Sequence, residues 1–265
     1  MKTKLFHPEI YSSCCLYLKE KKLNYTYSIL PLNEEALLVS FENKSDNYRI
    51  DEDINKKVIQ LQHLFATNNF KGFIETVSAY TSLAVFFDVS KVKESQPGFI
   101  TAFDFVRTFT ERILQNNKTL LQDIPGSFIN IPVYYNGDDL AFIAEKNKLS
   151  NKDVINIHTS KLYRVYMLGF LPGFAYMGSV DERIAMPRKS SPRNNVPAGS
   201  VGIAGFQTGI YPLTSPGGWQ LLGQTPIKIF DRHKANPCLL KAGDMIQFTS
   251  ITKNEFDKLN EYSNH

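Results

Sequence analysis

The chain is short of most of the features that announce a function directly. Its 265 residues hold three cysteines, Cys14, Cys15 and Cys238, with no CxxC and no Cys/His pair at ligand spacing. That argues against a disulfide framework and against a metal site, and for a reducing, cytoplasmic setting. Apolar runs are short, and those near the N-terminus are broken by "HPE" and "KEKK", so neither a membrane span nor a signal segment is expected. Charge of one sign is also scarce: 30 basic against 26 acidic residues leave +4, without a block that would track phosphates. Nucleic acid is therefore not an expected partner. The phrases GxxxxGK[ST], GxGxxG, GxSxG and HExxH are all missing. Nothing in the sequence is a self-contained catalytic set, so any chemistry is expected to need a partner chain.

What is present is a soluble globular composition, 43% hydrophobic and 21% charged, at a length that favours two domains. Tyr25 to Leu32 and "EALLVSF" (35–41) read as strands. Ile54, Val58, Leu61 and Phe65 then fall on one helical face. "GFIETVSA" and the nearly all-apolar "TSLAVFFD" read as two more strands, the second central. The polar "VSKVKESQPG" (89–98) reads as a linker, and Phe99, Phe103, Val106, Thr110 and Ile113 as a helix assignable to either neighbour. Beyond "FINIPVYYNG", Asp138 is a candidate N-cap for a short helix to Ala144, and Ser150 with Asp153 forms a capping-box pattern for a helix ending near His158. "YRVYMLGFL" and then "SVGIAG", "GIYPL", "WQLLG", "IKIFD" and "DMIQFT" read as short strands of a barrel or sandwich. The expectation is an α+β chain: residues 1–24 as an extension, 25–90 as a small α/β domain, 91–128 as linker and helix, and 129–255 as a β-barrel.

Ten of the fifteen glycines lie between Gly169 and Gly223, and no charged side chain occurs from Asn194 to Ile227. A buried barrel wall explains this. So does a pocket for a small polar ligand, lined by amides, hydroxyls and main chain, with the only tryptophan, Trp219, beside the turn of "SPGGW". Just upstream, Arg188 and Arg193 sit among prolines, either as solvated surface residues or as a grip for a carboxylate or phosphate. His158, at a helix end, is a packing residue or a proton-transfer group.

Three phrases, "HTSKLYRVYMLGFLPGFAYMG", "PRKSSPRNNVPAGSVGIAGFQTGIYPLTSPGGWQLLGQTPIKIFD" and "AGDMIQF", resemble the allophanate hydrolase subunit 1 family, whose members include the B subunit of 5-oxoprolinase and KipI-like inhibitors of sensor histidine kinases. The resemblance implies a small, ferredoxin-like α/β domain followed by a cyclophilin-like β-barrel. It also implies work beside a subunit 2-type (C) chain and an A-type subunit in an ATP-dependent hydrolysis of 5-oxo-L-proline to L-glutamate, or of another small lactam or amide. A KipI-like inhibitor of a histidine kinase, without chemistry, is the alternative. Plain prolyl isomerase activity is disfavoured, since the barrel likeness is one of fold alone. Matched position by position, the family's residues are His158, Gly169, Phe170, Pro172, Gly173, Arg188, Arg193, Pro197, Gly199, Gln207, Gly209, Tyr211, Pro216, Gly217, Gly218, Trp219 and Gln220. The roles this suggests are an anion held by Arg188 or Arg193, a lactam amide bound by Gln207 and Tyr211, and proton transfer by His158. Phe170, Pro172, Gly173, Gly217, Gly218, Trp219 and Gln220 would line the pocket. Two departures stand out: "YNGDDLAF" replaces the family's longer phrase ending Gly-Pro-Asp-Leu, and Asn33-Glu34-Glu35 replaces a Gly-Asp.

Overall fold

The computed structural model describes residues 25–43, 51–116 and 124–263, and the chain divides into two compact units, 1–123 and 124–265. The expected extension over residues 1–24 lies outside the described residues.

In the first unit, β1 (Tyr25–Asn33) and β2 (Ala36–Asn43) form a hairpin whose turn is fixed by Asn33 Oδ1 accepting from the Glu35 amide at 2.8 Å. Helix α1 (Glu52–Thr67) starts at Asp51, whose carboxylate accepts from the amides of Asp53 and Ile54. β3 (Phe73–Ser78) and β4 (Ser82–Phe87) complete an antiparallel sheet in the order β1-β2-β4-β3, so the apolar "SLAVFF" is an interior strand. Leu37, Val39 and Phe41 of β2 and Leu83, Val85 and Phe87 of β4 pack on Ile54, Val58, Leu61 and Phe65 of α1 in one core. The polar stretch expected as a linker is instead a helix, α2 (Val89–Ser95). Asp88 caps it by accepting from the Lys91 amide at 2.9 Å, and Val92 is fully buried. One anchoring apolar residue and a good cap outweigh a polar composition. Helix α3 (Ala102–Asn116) joins the same core through Val106, Ile113 and Leu114.

The second unit contains β5 (Phe128–Val133), α4 (Leu140–Lys146), α5 (Asn151–Thr159), β6 (Leu162–Leu168) and β7 (Ala175–Gly178). Then come β8 (Arg193–Val196), β9 (Ser200–Ala204), β10 (Gln207–Ile210), β11 (Ser215–Gly217), β12 (Gln220–Gln224), β13 (Met245–Ser250) and α6 (Lys253–Ser263). Seven strands run in the order β12-β9-β10-β7-β6-β13-β5, antiparallel except for the β13/β5 pair. The two ends meet where Tyr134 and Gln224 exchange amide-to-carbonyl bonds of 2.9 Å, so the sheet is nearly closed into a barrel. A separate ribbon pairs β8 with β11. The capping box at Ser150 and Asp153 is formed as the sequence indicates. The segment "IKIFD" is not a strand; Phe230 makes a single bridge to Cys238. Helix α6 was not foreseen, although Thr252 and Glu255 carry the capping signal that opens it: the Thr252 amide and hydroxyl both donate to the Glu255 carboxylate at 2.7 Å.

Strand alternation gives the barrel two dissimilar faces. Val201, Ile203, Ile210, Val165, Ala175, Met177 and Leu222 fill the interior with Tyr163, Ile246 and Phe248. On the opposite face of the same strands lies a smaller cluster of Phe174, Val196, Ala204, Tyr211, Trp219 and Leu221, with Leu171 and Tyr176 against it.

Candidate functional site

The two glycine- and proline-rich phrases meet at this outer cluster. Phe174, which follows the "GFLPG" loop, sits edge-on to Trp219 at 5.4 Å and to Tyr211 at 5.3 Å between ring centroids, and Tyr176 lies 5.9 Å from Trp219. The crowding explains particular glycines. A Cβ at Gly209 would stand 3.0 Å from the Trp219 ring and 3.1 Å from that of Phe174, and one at Gly217 would stand 2.4 Å from the Tyr211 hydroxyl oxygen. Gly173 has φ +81° and packs on Phe230, while Phe170 holds φ 72° and is 64% exposed.

The segment before β8 is stitched across this cluster. The Lys189 amide donates to Gly218 O at 2.7 Å, Gln220 Nε2 donates to Pro187 O at 3.0 Å, and Arg193 is opposite Gly217 in the ribbon. Asp139 ties the arrangement to the barrel. It stands at the N-cap position of α4, one residue beyond the expected Asp138, yet its side chain makes no cap bond. Its carboxylate instead accepts from Arg193 Nη2 (2.7 Å to each oxygen), from the Leu221 amide at 2.7 Å and from Lys189 Nζ at 3.2 Å. Burial by itself pushes this carboxyl up, but the bonds from Arg193, Leu221 and Lys189 outweigh it and hold the group below its ordinary range.

The two candidate arginines therefore differ. Arg193 is engaged inside the protein by Asp139, whereas Arg188 is exposed, lies 6.0 Å from the centre of the Trp219 ring, and makes no ion pair or hydrogen bond among the described residues. Burial raises the phenols of Tyr176 and Tyr211 above their ordinary range, against the pull of Arg188 at Tyr176 and of a bond from the Trp219 main chain and then Arg188 at Tyr211, so both stay neutral. A guanidinium, neutral phenols and a tryptophan edge can bind and orient a small planar carboxylate. They cannot act as a base.

Other expected residues lie elsewhere. Gln207 is on the same outer face as Tyr211 but at the other end of β10, with Gly209 between them, roughly 13 Å away by strand rise. Trp219 covers the intervening Gly209, so Gln207 and Tyr211 do not grip one small amide together. Gln220 is buried, and its Oε1 has no hydrogen-bond partner among the described residues.

The expectation that His158 transfers a proton is corrected by its position inside the barrel. It is fully buried, stacked on Phe248 at 4.7 Å, with Tyr135 Oη 2.7 Å from Nδ1 and Thr208 Oγ1 3.0 Å from Nε2. The Thr208 hydroxyl donates to Gly202 O at 3.1 Å, so it accepts from Nε2–H, and Nδ1 accepts from Tyr135. Both ring nitrogens are thereby satisfied in the neutral form. Burial lowers the imidazole to about 3. His158 is a packing residue with a fixed tautomer.

With this geometry in view, residues 27–240 match the family described as carboxyltransferase domain, subdomain C and D. The chain belongs to that family. It is 42% identical to the B subunit of 5-oxoprolinase from Bacillus subtilis over 90% of this chain and 98% of that protein, which bears out the resemblance read from the three phrases. Among crystal structures it superposes on TTHA0988 with TM-score 0.67 at 33% identity, covering 82% of this chain and 40% of that one, so it spans about two fifths of that longer chain. On the urea amidolyase of Kluyveromyces lactis the TM-score is 0.69 at 20% identity, covering 93% of this chain and 16% of that one, a likeness of fold alone. Asp139 and Lys189 were missed as site residues. The signal for Asp139 was in the sequence, since Asp139-Leu140 stand where the family phrase ends in Asp-Leu.

Proposed function

We propose that the chain is the B-type component of an assembly that hydrolyses 5-oxo-L-proline to L-glutamate with ATP, alongside a subunit 2-type chain and an A-type subunit. Its outer aromatic cluster receives the lactam, with Arg188 on the carboxylate. The observation that carries this is the contrast between the arginines: Asp139 neutralises Arg193, and Arg188 stands open beside Trp219, Tyr176 and Tyr211. The similarity to the Bacillus subtilis 5-oxoprolinase component supports the choice of lactam.

Hydrolysis adds water across the lactam C–N bond and needs a base for that water. In this chain His158 is sealed in the core and Asp139 is held by three donors, so its part is binding and orientation. ATP would drive the opening of the stable lactam, and the described residues here do not fit it. The amides of Gly169, Gly199 and Gly205 donate to carbonyls of this chain, and of the cations at the cluster Lys189 and Arg193 are taken by Asp139, which leaves Arg188 alone against a polyphosphate. The nucleotide site and the base therefore belong to partner subunits in this reading.

The test is ATP-dependent glutamate release from 5-oxo-L-proline by the assembled subunits, with this chain present, omitted, or carrying Arg188→Met. Activity that needs the chain and falls at least tenfold in kcat/KM in the variant is expected. Full activity without the chain overturns the proposal. An assembled but inactive complex turns the reading to another small amide or to inhibition of a histidine kinase.

A further inference from the structure

The N-terminal unit holds a cavity of about 300 Å³, at the small end of the range for ligand sites. Phe70, Phe99, Phe105 and Phe109 line it, with the exposed Lys71 and Arg112 completing the wall. Three of their contacts are edge to face and one is tilted: Phe70 lies 5.6 Å from Phe105 at 83° and 5.1 Å from Phe109 at 68°, Phe99 lies 5.3 Å from Phe105 at 76°, and Phe105 lies 6.1 Å from Phe109 at 39°. Together these rings form the aromatic box that lines the cavity. One wall is the turn after Pro97-Gly98, and it is fastened independently of any occupant. Lys93 Nζ donates to the carbonyls of Phe99 at 2.5 Å and Ile100 at 3.0 Å.

The charges around this box have one sign. No carboxylate lines it, and neither Lys71 nor Arg112 makes an ion pair or hydrogen bond among the described residues. One turn earlier on α3, Arg107 pairs with Glu111 at 3.0 Å, so the same helix satisfies one arginine and leaves the other open at the cavity. An aromatic box by itself favours a cation over its ring faces. Two unpaired cations on the wall oppose that and favour an anion.

We propose that this cavity binds a small carboxylate with an aromatic or branched apolar body, the body among the four phenylalanines and the carboxylate on Arg112 and Lys71. The proposal does not rest on the lactam reading of the barrel, and none of its residues belongs to that unit.

The test is calorimetric titration of the full chain with 3-phenylpropanoate, 3-phenylpropanamide and 3-phenylpropylammonium, repeated with Arg112→Gln and Thr108→Trp. Saturable binding of the carboxylate is expected, roughly fivefold tighter than the amide, with the ammonium weakest. Arg112→Gln should bring the carboxylate down to the amide's affinity and leave the amide unchanged. Thr108→Trp, which fills the cavity from an exposed position on α3, should remove binding of all three while far-UV circular dichroism stays that of the parent. Equal affinity for the three compounds, no saturable carboxylate binding, or binding that survives Thr108→Trp overturns the proposal.

Discussion

Acidification should expose the buried histidine through stability. In the folded chain burial holds His158 at about 3, against an ordinary value of 6.5. Between those values the unfolded chain binds a proton that the folded chain refuses, so stability is full above about pH 6.5 and is lost as pH falls toward 3. One unit of displacement corresponds to about 1.4 kcal/mol, so going from pH 7 to pH 4.5 should cost about 2 to 3 kcal/mol from this residue alone. No solvent discount applies, because the imidazole is fully buried. Other groups also titrate in this window, so the quantity to measure is a difference between two proteins. His158→Gln keeps a donor for Thr208 and an acceptor for Tyr135 without the titration; it gives up the stacking on Phe248, a cost independent of pH. Trp219 is the only tryptophan and lies in the barrel unit, so urea unfolding followed by its fluorescence reports on that unit. Parent and variant should converge, or cross, by about 2 to 3 kcal/mol as pH drops from 7 to 4.5. A difference that stays constant over that range would falsify the neutral tautomer derived from Thr208 and Gly202.

The outer cluster supplies further expectations. Asp139→Asn should cost about 2 to 4 kcal/mol in chemical unfolding, because the carboxylate side chain is 6% exposed and its loss leaves the Arg193 guanidinium, 19% exposed, with only the exposed Asp138 carboxylate at 3.8 Å as counter-charge; a cost under about 0.5 kcal/mol would show that the pair is better solvated than its burial implies. Gly217→Ala should cost about 1 to 3 kcal/mol and shift the Trp219 emission, since its Cβ would meet the Tyr211 hydroxyl oxygen at 2.4 Å. Gly218→Ala next to it, with nothing nearer than 3.7 Å, should be tolerated; equal effects of the two substitutions on thermal unfolding would contradict the crowding argument. Arg188→Met should leave the unfolding midpoint within about 0.5 kcal/mol of the parent, because an exposed guanidinium 6.0 Å from a ring holds little of the fold. A large stability loss there would mean that Arg188 is structural and that its effect on turnover cannot be assigned to a ligand.

Local pattern carried much of the fold. The helix face Ile54-Val58-Leu61-Phe65, the apolar strand at Ser82–Phe87 and the capping box at Ser150 and Asp153 each follow from periodicities and hydrogen bonds spanning a few residues, and each is formed. Where one local signal was weak, as in the polar stretch that becomes α2, a cap at Asp88 and a single buried Val92 decided the matter. The "GFLPGF" and "SPGGW" phrases come together at one aromatic cluster, and Gly173 and Gly217 within them are where backbone runs against the rings of Phe230 and Tyr211.

Which residues share that region depended on contacts across long stretches of chain. Asp139 meets Arg193 54 positions away and the Leu221 amide 82 positions away, and no spacing rule reaches that far. The same pairing separates the two arginines, which look alike in "PRKSSPR", into one that is neutralised and one that is open. His158 and Gln207 were both expected at the site, yet the packing of α5 on the barrel turns the first into the core, and its place in β10 puts the second four residues from Tyr211 along the strand. A residue's type and its near neighbours set what it can do; burial and long-range partners, which exist only once the sheet has nearly closed, set whether it is free to do it.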